Sequence, residues 1–124
     1  MTYSEVRTIK YAAERVRCIE VLYSIIHEVE SENFEDEDFE VSKRELLNGL
    51  YNIKVSKLKE NSMWDDFEDK LFEVLGNNYI LFIPPKSDLV IKLEKLYQKR
   101  KDELKWLIQL MFVVIYINFV VFLQ

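Results

Sequence analysis

Apolar residues recur through the first thirty positions at alternating three- and four-residue steps. Ile9, Ala12, Val16, Ile19, Tyr23 and Ile26 form the stripe, widened by Val6, Ala13, Leu22 and Val29, while Lys10, Glu14, Arg17 and Glu20 fall outside it. That spacing predicts one long amphipathic helix over residues 3–31. It opens on a capping box, Thr2 to Glu5.

A second capping box, Ser42 to Glu45, predicts a helix carrying Leu46, Leu47, Leu50, Ile53 and Leu58. Gly49 inside it costs about 1 kcal/mol relative to alanine and weakens its middle. The third predicted helix starts at Ser62, has Asp65 and Asp66 in its first turn and stops at Gly76. Its apolar face is Trp64, Phe67, Leu71, Val74 and Leu75. The run YILFIPP that follows reads as an extended segment near 79–83, either a core crossing or a lone strand. Ser87 then caps a fourth helix with Leu89, Val90, Leu93, Leu96 and Tyr97.

Nothing breaks that fourth helix before the chain changes character. Residues 106–124 carry no charge, and 16 of these 19 residues are apolar. The pattern therefore divides the chain into an acidic helical body, 1–105, and a hydrophobic C-terminal segment, 106–124. As a helix, residues 106–123 would be ~27 Å long, close to the ~30 Å hydrocarbon core of a bilayer. Trp106 stands at the entrance, where an amphipathic ring prefers the interface, and Lys99, Arg100, Lys101 and Lys105 precede it on the side that would stay cytosolic. Val114 lies near the middle of the run, and Gln109 and Asn118 are its internal polar residues, each able to bond a neighbouring helix. A C-terminal tail anchor is the favoured reading. The alternatives are a central helix buried by the body and, from the β-branched and aromatic content of FVVIYINFVVF, a strand paired with YILFI.

Composition narrows the fold. Two glycines and two prolines in 124 residues leave few turns, so the class is mainly α: a small bundle of about four amphipathic helices with a hydrophobic C-terminal helix. Charge narrows the partners. The net charge is −5, and eight carboxylates with no base lie between Glu28 and Glu40. Nucleic acid is the wrong partner for such a surface, since phosphate binding draws on Lys and Arg. The stretch SENFEDEDFE reads instead as a solvated loop. Glu35, Asp36, Glu37 and Asp38, flanked by Phe34 and Phe39, are the candidate docking residues for a basic protein partner. The N-terminus has charges where a signal peptide needs an apolar run, which points to an intracellular protein.

Catalytic chemistry finds no footing. His27 and Cys18 are the single residues of their types, nine positions apart on one helix and ~13 Å between Cα atoms. They make neither a triad nor a zinc site. Cys18 reads as a small, semi-buried thiol and His27 as a helix-flank residue. The carboxylates at Asp65, Asp69 and Glu73 lack the histidines of a di-iron site, and Glu35–Asp38 lacks the order of a calcium loop. No glycine-rich phosphate loop, cofactor motif or enzyme signature is present. The expectation is a non-enzymatic adaptor or accessory subunit, held at a membrane by its tail and binding a protein partner. The alternative is a soluble acidic binding protein, such as an immunity protein, an inhibitor or a small subunit of a complex, with the tail in its core or interface. Association of copies through the tail is a third, weaker reading.

Overall fold

The computed structural model describes residues 2–32 and 37–124, the side chains of residues 37–41 excepted. Among the described residues four α-helices run in order: α1 (Tyr3–Ser31), α2 (Glu37–Tyr51), α3 (Met63–Leu75) and α4 (Asp88–Leu123). Short 3₁₀ turns at Val55–Lys57, Glu60–Ser62 and Gly76–Phe82 link them, and no strand occurs among the described residues. The expected mainly α bundle is the observed fold.

α1 starts as its sequence dictates. Thr2 Oγ1 accepts from the Glu5 N–H at 3.2 Å, and Glu5 Oε2 accepts from the Thr2 N–H at 3.3 Å, so two otherwise orphaned donors are satisfied reciprocally. Its buried face takes Val6, Ala13, Leu22, Ile26 and Val29 from the predicted stripe and adds Cys18, Val21 and Ile25. Cys18, Val21, Leu22, Ile25, Ile26 and Val29 enter the main core, whereas Val6 and Ala13 are buried nearer the N-terminus, outside that cluster. Ile19 and Tyr23 remain 36% and 69% exposed. The cause is that α1 has two sets of neighbours, α4 on one side and α2 and α3 on the other. The predicted stripe lies between the two faces, so its edges are buried while Ile19 and Tyr23 near its centre are not. Cys18 is fully buried rather than semi-buried, and burial pushes its thiol up to about 12.

α2 begins at Glu37, five residues ahead of the predicted capping box, so Glu37, Asp38 and Phe39 belong to a helix and not to a loop. Carboxylates repel one another along a helix, but at its first turn they also face the positive end of the backbone dipole. The Lys43 ammonium donates to the Glu30 and Glu32 carbonyls at 3.1 and 2.7 Å, closing the end of α1 with positive charge. Tyr51 donates to the Glu30 carboxylate, a second tie between the two helices.

The predicted continuation of α2 to Leu58 is also corrected. The helix ends at Tyr51, and Ile53 and Leu58 reach the core through the following turns. In one straight helix these two side chains would point ~140° apart, so they could not share one core. Gly49 has a packing role that its propensity concealed. A Cβ there would lie 2.9 Å from Val74 Cγ1 on α3. Gly49→Leu is expected to destabilise the fold by about 1–3 kcal/mol through overpacking, despite its better helix propensity. Urea denaturation would register this as a lower midpoint with an unchanged slope.

α3 carries Met63, Phe67 and Leu71 into the core, with Trp64, Val74 and Leu75 packed at its edge. Ser62 occupies the N-cap position, but its hydroxyl makes no capping bond. The Asp66 carboxylate instead accepts from the Lys59 N–H at 3.0 Å, which holds its pKa below the ordinary value. Gly76 ends the helix at φ +69°, a left-handed angle that other residues rarely adopt.

The segment expected to be extended at 79–83 is a 3₁₀ turn through Phe82, with only Ile83 extended before Pro84. Tyr79 folds it back on α3: its hydroxyl donates to Glu68 Oε2 at 2.7 Å, and its ring meets Phe72 edge-on at 6.4 Å. Among the described residues no neighbouring strand is there to satisfy an extended backbone.

Candidate functional site

α4 is one helix of 36 residues that crosses the boundary between body and tail without interruption. Ser87 starts it. Its Oγ accepts from the Val90 N–H at 3.2 Å and donates to Glu20 Oε1 at 2.9 Å, so the cap is tied to α1. Nearby, Arg17 Nη2 donates to the Pro84 carbonyl at 2.8 Å, and its guanidinium lies 5.5 Å from the centre of the Trp64 ring. Arg17 and Glu20, set outside the apolar stripe by pattern alone, thus fix where α4 leaves the core. Their partners lie 67 residues away, a separation that helical periodicity cannot reveal.

The first half of α4 packs against α1, with Val90 fully buried and Leu93, Tyr97 and Leu104 half-buried. The second half touches nothing comparable. Residues 106–124 are exposed apart from half-buried Val120, and none of the most apolar 18-residue window is buried. The strand alternative is therefore corrected: the tail is helical to Leu123. Nor does the body bury it as a central helix within one copy. α4 is long and apolar enough to cross a membrane, by length and composition.

Trp106, Gln109, Val114 and Asn118 all lie on this bare span and are exposed. Gln109 and Asn118, nine residues or 2.5 turns apart, point to opposite sides of it. Gln109 is one turn past Trp106, whereas Asn118 is ~18 Å along the span. Just before the span, Arg100 pairs with Glu103 at 3.1 Å, and the Lys101 ammonium lies 5.8 Å from the centre of the Tyr97 ring.

Of the acidic docking residues, Phe34, Glu35 and Asp36 lie outside the described residues. Glu37, Asp38 and Phe39 form the first turn of α2. His27 is an exposed flank residue. No cluster of three His, Cys, Asp or Glu side chains suited to a metal occurs among the described residues.

The body also has an open cleft of about 530 Å³ between α1, Trp64 and α4, lined in part by Lys10, Glu14, Arg17 and Tyr97. Burial raises the Glu14 pKa. Glu14 Oε2 and Arg17 Nη1 are closed off from solvent and have no hydrogen-bond partner. In comparisons with protein-family models, curated proteins and solved structures, nothing matches this chain.

Proposed function

We propose that this protein is a non-enzymatic, membrane-anchored helical adaptor or accessory subunit. Residues 106–123 of α4 hold it in the bilayer, and the body binds a protein partner from the cytosolic side. The observation that carries this reading is the bare span: a charge-free helix of bilayer length, exposed at every residue but half-buried Val120, beside a body that has its own core. Left in water, such a surface far exceeds the apolar patches that soluble monomers tolerate. Trp106 at the boundary and the cations at 99–105 supply the interfacial anchor and the cytosolic bias. The acidic stretch from Glu28 to Glu40 would steer a basic partner to the body.

The test is alkaline carbonate extraction of membranes from cells expressing the full chain, beside a Val114→Lys variant. The wild type should remain in the pellet. The variant should move to the soluble or aggregated fraction, because a lysine at mid-span costs about 2.5–3.5 kcal/mol on insertion scales. A wild type released by carbonate would refute the anchor.

A further inference from the structure

Another cleft lies where the N-terminal end of α1 meets α4, next to the span. It is open, about 460 Å³ in volume, and is lined by Arg7, Lys10 and Lys101 together with Tyr3, Tyr11 and Tyr97. No carboxylate lines it, in a chain whose net charge is −5. None of the three cations has an ion-pair partner among the described residues. Glu60 and Glu14 act on Arg7 and Lys10 only from beyond ion-pair distance, and the Glu5 carboxylate accepts from the Thr2 N–H. Three like charges repel one another, and an anion between them would relieve that repulsion.

With α4 anchored through residues 106–123, this cleft stands at the bilayer surface. α1 runs antiparallel to α4: Glu20 meets Ser87 at the far end, whereas Val6 and Leu104 share the cleft. The positive end of α1 therefore points toward the anchor. Leu104 and Lys101 lie ~3 and ~7.5 Å before Trp106 along the helix axis. The headgroup layer of one leaflet is about 5–8 Å thick, so the cleft opens at its level. Tyr3, 72% exposed, is an amphipathic aromatic suited to that layer, as Trp106 is.

We infer that the cleft binds the phosphate of an anionic phospholipid headgroup, an inference that rests on the anchor reading. Arg7 is held ready for it. Its Nε donates to the Tyr11 hydroxyl at 2.8 Å, and that hydroxyl donates to Asn61 Oδ1 at 3.1 Å. The guanidinium is thus fixed, while its terminal amino groups make no bond among the described residues and can take two phosphate oxygens. Lys10 and Lys101 add a point charge from each helix. Positive-inside bias accounts for cations beside a span in sequence, as Lys101 is. It does not account for Arg7 and Lys10, which the fold brings from the opposite end of the chain. A choline headgroup carries the same phosphate but also a cation that the cleft would repel. A soluble phosphate shares the recognition chemistry, and the position beside the span favours the lipid.

The experiment is native mass spectrometry of the full chain in non-ionic detergent, offered equal amounts of phosphatidylglycerol and phosphatidylcholine with identical acyl chains. The wild type should retain phosphatidylglycerol about tenfold or more over phosphatidylcholine. Lys101→Gln, which leaves α1 untouched, should lower that ratio about fivefold. The triple variant Arg7→Gln, Lys10→Gln, Lys101→Gln should abolish the preference. A second triple with the same charge change on exposed positions of α4, Lys92→Gln, Lys95→Gln, Lys99→Gln, should keep the wild-type ratio. Equal retention of the two lipids by the wild type, or equal loss in both triples, would overturn the site. Displacement of the lipid by millimolar inorganic phosphate would assign the cleft to a soluble phosphate and overturn the lipid. Carbonate extraction keeps the two readings apart. A wild type that pellets but shows no lipid preference sinks the headgroup site alone, whereas one released by carbonate sinks the anchor and the site with it.

Discussion

Removal of residues 106–124 is expected to leave a folded, helical, soluble body while abolishing membrane association. The main core is assembled from α1, α2, α3 and the turns between them, and α4 adds Val90 to the buried set. No residue of the deleted segment is buried. The ties that hold α4 to α1, at Pro84, Ser87 and Val90, all lie upstream of the cut. Far-UV circular dichroism and a urea melt of the 1–105 fragment would show a cooperative transition. Fractionation would place the fragment in the supernatant. A fragment that is unfolded or aggregated would show that the tail serves the core, and would favour the reading in which it is buried at an interface.

Phe67→Ala is expected to act in the opposite way, unfolding the body without touching the span. Phe67 has no exposed surface, and its ring is tilted against Trp64 at 5.6 Å. Truncating a buried phenylalanine removes its transfer energy and leaves a cavity, about 3–5 kcal/mol in all. A domain of this size has a total stability of only about 5–15 kcal/mol. The substitution should lower the urea midpoint of the body severely, whereas the full-length variant should still pellet with membranes. A midpoint unchanged within error would mean that Phe67 does not sit at the centre of the core.

The parts of this fold legible in the sequence are those written in local chemistry. The Thr2–Glu5 box, the Ser87 cap and the Gly76 stop each use bonds or angles available within a few residues, and all three stand where pattern placed them. The parts misread depend on distant neighbours. Ile19 and Tyr23 fit a helical stripe but lie on the wall of an open groove beside Leu50 and Tyr51 of α2, not in the core. Ile53 and Leu58 are core residues as expected, yet it took turns, not a longer helix, to bring them in. Gly49 looks like a weakness until Val74 is placed against it. At the candidate site the apolar span was plain from composition. The covered and uncovered faces of α4 were not, because the distinction requires knowing where α1 lies.

The unbroken course of α4 has a mechanical consequence. Neither glycine nor proline interrupts residues 88–123, so the helix has no swivel between the half that packs on α1 and the half that projects. Seated in a bilayer, the body would turn rigidly with the span. Transmembrane helices tilt by about 20° on average, and the tilt responds to the thickness of the surrounding lipid. Over the ~27 Å of α4 above Trp106, that angle swings the far end sideways by ~9 Å. The body would then ride as a lever on its anchor, its height and lean over the lipid surface set by how thick the membrane is.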